Sequence, residues 1–406
     1  MKEKNNKKLN VHVIVKYFFP VTAGIETNVM ETYTLLQKNG WNITIHTSKD
    51  TATEKNCLPS REVLRGLSVE RYEFNRFGFF PKLSWEKADV LCLHNFDIFP
   101  HLLLLLYCFY LKILGKKQFA LILTPHGGFN PEWSIFSLLQ RTIKKTYHYT
   151  IGTFLINSVV DGVRAVSLWE RSEMIGKGIQ EKKISVIENG IEDEAYMDVE
   201  KKASTDIKKR VKEYGKYIIQ IGRIYPIKNL ETTIKAMTKV PKDIKFIIAG
   251  PQDHVLGKDT YKKELDTLIQ KLGLQKRVVF AGVVRGVDKY FLIKKAQMMV
   301  HMALWESFCN VVHEGLSQGL VCLVANNTAL PYLIKDGVNG YCIDTRNWEK
   351  VAGKINFVLQ NKKSELIQNM KKKNREYGLK NSWEQVADSM YQFYANTLIA
   401  VHGGKI

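Results

Sequence analysis

Short apolar, β-branched runs recur along the chain, each followed by a stretch whose apolar positions return every three or four residues. That alternation predicts parallel strands covered by helices. In the first half the strands fall at Val11 to Phe19 (VHVIVKYFF), Trp41 to Ser48, Asp89 to His94, Phe119 to Thr124, Gly162 to Ser167 and Ile184 to Asn189. A helix from about Ile25 to Asn39 separates the first two and stops at Gly40. Between Glu192 and Gly215 the apolar rhythm gives way to charge, and it resumes at KYIIQIG. This places a linker at 196–215 between a first domain, 1–195, and a second, 216–381. The second half predicts strands at Lys216 to Gly222, Ile244 to Gly250, Val278 to Gly282, Gln297 to Ala303 and Leu320 to Ala325. Helices are expected from Asn229, over Tyr261 to Leu272, near Asn310 to Gly319, and in the tail 382–406 as an amphipathic helix over Ser382 to Val401. The fold class is α/β, two doubly wound Rossmann-like domains, and ligands of such sheets bind in the loops beyond the strand C-termini.

The run Ile98 to Leu114 (IFPHLLLLLYCFYLKIL) is interrupted by Pro100, His101 and Lys112, whereas a membrane span needs about 20 apolar residues. It reads as a helix buried against a sheet, with an interfacial helix touching lipid as the alternative. Behind the basic N-terminus, the apolar stretch Val11 to Val15 is cut by Lys16 and is too short for an export signal.

Composition narrows the classes further. With 406 residues, 45% hydrophobic and 25% charged, the chain is globular and long enough for more than one core without disulfide or metal staples. Six cysteines with no CxxC pair argue against a zinc site or a secreted disulfide framework and for a reducing, cytoplasmic compartment. The 60 Lys and Arg against 40 Asp and Glu leave a charge of +20, attractive to nucleic acid, anionic lipid or phosphate-bearing substrates. A single basic cluster such as Lys371 to Arg375 is ordinarily a solvated helix face. Paired Cys/His fingers, heptad-backed basic regions and RNP-like strands are absent from the sequence, so no nucleic-acid partner is expected. The charge together with Leu102 to Leu106 suits peripheral contact with an acidic membrane at the inner face of the cell membrane.

Phosphate loops of the GxxxxGK[ST] type, GxGxxG fingerprints and GxSxG elbows are likewise absent. His313-Glu314 lacks the second histidine of HExxH, since Ser317 stands there, and without a DxD pair no metal is expected. The most specific segment is Trp305 to Gly319, WESFCNVVHEGLSQG, with Glu306 and Glu314. On one helix these carboxylates would stand roughly 80° apart and about 12 Å along the axis, poorly placed as an acid–base pair. If Glu306 instead lies in the loop before the helix, the two bracket a helix N-terminus whose amides and dipole bind phosphate. A second segment, GRIYPIKN after a strand, offers close backbone approach at Gly222 and fixed positive charge at Arg223 and Lys228.

This combination resembles the retaining nucleotide-sugar glycosyltransferases of family 4, which have the GT-B fold. Nearly the whole chain carries it, in order: FFPVTAGIE, LTPHGG, AVS, VIENGIE, GRIYPIKN, FIIAG, VVFAG, the segment from Glu306 to Glu314, and IKDGVNGYCI. The resemblance implies sugar transfer from a nucleoside diphosphate sugar to a glycan or lipid-linked acceptor hydroxyl, with retention and without a metal cofactor. It gives Arg223 and Lys228 the donor diphosphate and the departing nucleotide, Glu314 the ribose hydroxyls, and Glu306 the donor sugar. Gly24 becomes the glycine-loop residue approaching the diphosphate, His126 the histidine near the transferred sugar, and Asn310 and Val311 the donors of backbone amides. It also implies that the C-terminal helix crosses back to the first domain. Standing alone, His126 would read as a capped loop histidine and His94 as a strand-end packing residue. Ser307 and Cys309 replace glycines common beside the first glutamate, and Tyr332 an acidic residue after the following proline, which places phosphate approach in question. A non-catalytic GT-B protein that binds nucleotide or scaffolds a glycan-assembly complex is the competing expectation.

Overall fold

Fourteen strands form two sheets in the computed structural model, which describes residues 8–51, 54–252 and 260–402. The chain divides into one unit of Met1–Gly190 with Trp383–Ile406 and a second of Ile191–Ser382.

In the first unit the strands are β1 (Asn10–Ile14), β2 (Asn42–Ser48), β3 (Arg61–Leu64), β4 (Leu67–Tyr72), β5 (Val90–His94), β6 (Ala120–Thr124), β7 (Gly162–Ala165) and β8 (Ile184–Val186). They lie in the order β3-β4-β2-β1-β5-β6-β7-β8. Neighbours run parallel except β3 with β4. Side chains alternate between the two faces of a strand, and both faces here are apolar. Cys92, Ala120 and Ile122 enter one core, while Leu91, Leu93, Leu121 and Leu123 enter the other. The first core is closed by the helix Gly24–Lys38 and by Trp383–Val401, whose Trp383, Val386, Met390, Tyr394 and Leu398 recur at helical spacing. The C-terminal helix is thus a built-in part of the first unit.

The second unit carries β9 (Lys216–Ile221), β10 (Ile244–Ala249), β11 (Val278–Gly282), β12 (Met299–His301), β13 (Cys322–Ala325) and β14 (Gly340–Ile343), all parallel, in the order β11-β10-β9-β12-β13-β14. Phe246 and Ile248 of β10 face one apolar core and Ile247 and Ala249 the other.

Several boundaries differ from the sequence expectation. The division falls at Gly190/Ile191, and the stretch expected as a linker belongs to the second unit. It carries the helices Val199–Lys202 and Thr205–Tyr214. Its sparse apolar residues Val199, Ala203 and Ile207 are buried, so few contacts at long spacing suffice to fix a charged segment. β1 ends at Ile14, and the rest of VHVIVKYFF forms the loop leading to Gly24–Lys38. The β3–β4 hairpin was not expected, since charge on both faces of REVL and LSVERY masks the alternation. Its turn, Arg65 at φ 50° and Gly66 at φ 89°, has the two left-handed residues of a tight hairpin.

Candidate functional site

At the C-terminal end of β9 the chain turns at Gly222 (φ 141°) and descends through Arg223 to Lys228. Gln220 donates from Nε2 to the Lys228 carbonyl (3.1 Å) and Leu304 N–H donates to the Ile227 carbonyl (2.8 Å). Two loops are thereby tied together, and Lys228 Nζ lies 2.6 Å from Glu306 Oε1. The same oxygen accepts from His301 Nε2 at 2.7 Å. Burial opposes the charge of Glu306, but Lys228 and the His301 bond outweigh it and hold the carboxyl down at about 2. Glu306 is therefore an anion with a fixed orientation, and its own N–H is anchored on Thr328 Oγ1 (3.0 Å).

Three residues on, Cys309 caps the helix Asn310–Ser317 in a left-handed conformation, φ 85°. The Cys309 side chain makes no capping hydrogen bond, and the first amides of any helix lack intrahelical acceptors. Asn310 and Val311 present theirs at a positive dipole end. Cys309 adopts the backbone a glycine would, and its side chain packs into the apolar core beneath β12 and β13. His301, Glu306 and Cys309 offer ligand atoms within 4.8 Å of one another. Lys228, however, already neutralises the carboxylate, and burial raises the Cys309 thiol pKa far up. This donor set fits a lysine-paired anion better than a metal ion.

Glu314 lies in the same helix, as one of the two alternatives required, with Glu306 in the preceding loop. Its Oε1 is 3.1 Å from Lys289 Nζ, which also contacts Glu192 Oε2 at 2.6 Å. Burial pushes the Glu314 carboxyl up to about 7, Glu192 adds repulsion, and Lys289 opposes both. One lysine shared by two carboxylates stays charged while the carboxylates repel each other. Glu314 Oε2 is buried without a hydrogen-bond partner, an acceptor held in reserve. Behind this layer, a Cβ on Gly250 (φ 151°) would stand 2.0 Å from the Gly222 carbonyl oxygen, so the ends of β9 and β10 are as close as backbone allows.

In the first unit, His126 follows β6 with φ 52° and is buried. Its Nε2 is 3.0 Å from His94 Nδ1; His94 Nε2 is 2.8 Å from the Tyr33 hydroxyl, itself 2.7 Å from that of Tyr394. Burial, chiefly, lowers His126 to about 3, so the ring is neutral and acts through hydrogen bonds. His94 is thus a link in this chain rather than only a packing residue. Gly127 N–H and Val166 N–H both bond Glu170, which burial raises to about 7. Gly24 is the first residue of the helix Gly24–Lys38, whose N-cap Ala23 has no capping side chain.

The geometry thus joins Lys228, Glu306, Asn310 and Val311 in one site, with Gly222 and Arg223 on the strand-end loop leading to it and Glu314 further along the same helix. His126 and Gly24 belong to the other unit. His301, Lys289, Glu192 and the Tyr33–Tyr394 pair were missed. His301 alone had a usable signal, as a polar residue ending an otherwise apolar strand.

Two open, mainly parallel sheets with these loops at their strand C-termini define the GT-B class, two Rossmann-like domains in one chain. HepE from Anabaena, solved with UDP and glucose, shares the fold at a TM-score of 0.72 with 18% identity, covering 96% of this chain and all of that one (100%). The chain belongs to the group 1/family 4 glycosyltransferases: residues 22–195 match the model for "Glycosyltransferase Family 4" and residues 202–377 that for "Glycosyl transferases group 1". An uncharacterized glycosyltransferase of Methanocaldococcus jannaschii is 29% identical over 221 residues, 53% of this chain and 54% of the relative, so the chain spans about half the length of that protein. The N-acetyl-alpha-D-glucosaminyl L-malate synthase of Bacillus anthracis is 24% identical over 333 residues, 79% of this chain and 78% of the relative.

Proposed function

We propose that the protein is a retaining glycosyltransferase that moves a sugar from a nucleoside diphosphate sugar to an acceptor hydroxyl. Its setting is cytoplasmic synthesis of surface glycan, polysaccharide or glycolipid, and it uses no metal cofactor. The observation that carries the reading is the Lys228–Glu306 pair at the loop that leads into the N-terminus of the helix at Asn310. Positive charge for a diphosphate, a fixed carboxylate for sugar hydroxyls and the positive end of a helix dipole stand together there. Arg223, Lys228 and the amides of Asn310 and Val311 take the diphosphate. The spare oxygen of Glu314 takes ribose hydroxyls, and Gly222 and Gly24 leave the backbone open to the donor. His126, neutral, hydrogen-bonds near the transferred sugar.

In the reaction the bond from the anomeric carbon to the diphosphate oxygen breaks, and the acceptor oxygen bonds that carbon on the same face. The acceptor proton passes to the leaving phosphate oxygen, and nothing is oxidised. Charge gathers on the departing nucleotide, where Arg223 and Lys228 stabilise it. The test is a thermal-shift and calorimetric screen of wild type and Glu314→Ala with UDP, GDP, ADP and their sugar conjugates, without added metal. Stabilisation of wild type by one nucleotide, lost in the variant, supports the donor site, and binding of none refutes it. NMR of the product then reads the linkage, and inversion refutes retention.

A further inference from the structure

The helix Leu138–Tyr149 starts firmly: Ser137 Oγ accepts from the Gln140 amide, and the Gln140 side chain accepts from Ser137 N–H. Yet only its Tyr147 and His148 are buried. Leu138 and Leu139 are 80% and 70% exposed, and Ile143 is more than half exposed. The next helix, Ile151–Val159, packs on it and also on His101–Ile113, with the Phe109 and Phe154 rings edge to face at 5.7 Å. Phe154, Tyr110 and Ile113 add exposed apolar surface on these neighbours. So much uncovered apolar surface on adjoining helices marks an interaction site.

Charge identifies the partner. From His101 to Asn130 and from Trp133 to Val160 the chain holds no Asp or Glu. The cations within these segments are Lys112, Lys116, Lys117, Arg141, Lys144 and Lys145. Lys144 and Lys117 are paired with Asp97 and Asp161, whereas Lys112, Lys116 and Lys145 stand exposed. A second copy of the same face would bring like charges together. An anionic bilayer satisfies both components: lysines meet headgroup phosphates while leucines enter the acyl boundary. Among the described residues no helix is long and apolar enough to cross a membrane, so the contact is with the surface. The run Leu102 to Leu106, expected to touch lipid, is divided, with Leu104 and Leu105 buried and Leu103 and Leu106 exposed.

We propose that these three helices dock the first unit on an anionic lipid bilayer, with Leu138, Leu139 and Ile143 as the inserted side chains. The test is co-sedimentation of the full chain with phosphatidylcholine vesicles, with or without about 40% phosphatidylglycerol, at about 0.05 M and about 0.5 M salt. Wild type should pellet with the anionic vesicles at low salt. Leu138→Glu/Leu139→Glu, at exposed positions, should lower the partition coefficient about tenfold or more, and Lys116→Glu/Lys145→Glu should lower it comparably. Lys372→Glu/Lys373→Glu, equally charge-reducing but in the second unit, should leave it unchanged. Absence of wild-type pelleting overturns the proposal. So does equal loss in the second-unit variant, which would mean unspecific attraction to the +20 chain. Sedimentation velocity showing a wild-type dimer that Leu138→Glu/Leu139→Glu dissociates, with vesicle binding intact, would assign the face to a second copy instead.

Discussion

Replacing Lys228 by methionine keeps its stem and removes the cation that Glu306 faces at 2.6 Å. The Glu306 side chain is only 12% exposed, so water cannot take over. Holding a carboxyl at about 2 against an ordinary 4.5 is worth about 3 kcal/mol, at about 1.4 kcal/mol per tenfold. Because the folded value lies below the unfolded one, this stabilisation is complete above pH 4.5 and is lost as pH falls through about 2. Lys228→Met should therefore lose about 3 kcal/mol at pH 7 but only about 1 kcal/mol at pH 3. Urea unfolding followed by circular dichroism at both pH values measures this. Lys228→Met/Glu306→Gln, which removes the stranded charge as well, should regain most of the pH 7 loss. Equal stability of wild type and Lys228→Met at pH 7, or a double variant no more stable than the single one, would refute the reasoning.

Nucleotide affinity measured by calorimetry should rise up to about tenfold between pH 6 and 8 as Glu314, raised to about 7, ionises to accept ribose hydroxyls; Glu314→Gln should flatten that profile. Cys309→Val should cost about 2 kcal/mol in unfolding experiments, since a β-branched residue at φ 85° is strongly strained, whereas Cys309→Gly should keep nucleotide binding in calorimetry. Gly250→Ala should lower the melting temperature far more than Gly215→Ala. Its new methyl would meet the Gly222 carbonyl at 2.0 Å, while that at Gly215 meets nothing within 4 Å.

The central strands of both sheets, though not the edge strand β14, were legible because, buried on two faces, they read as unbroken apolar runs, as in VLCLH and ALILT. The edge hairpin was not, since REVL and LSVERY follow no clean rhythm and only their turn, with two left-handed residues, holds the pairing. In the site, Glu306, Glu314 and Lys228 stood out through fixed spacing within short segments. Lys289 and Glu192 escaped because their meeting depends on how helix Gly286–Lys295 lies against the chain entering the second unit. The hydroxyls of Tyr33 and Tyr394 meet across nearly the whole sequence. No local pattern encodes such a contact, which is made by the return of the C-terminal helix.

That return also governs the order of events during synthesis. Domains close as units while the chain emerges, and Ile191–Ser382 emerges in one piece. The earlier-made Met1–Gly190 cannot close its first core until Trp383, Val386, Met390, Tyr394 and Leu398 have left the ribosome. The nascent protein therefore finishes its second unit before its first, and premature termination ahead of Trp383 would leave a completed second unit tethered to an open, aggregation-prone sheet.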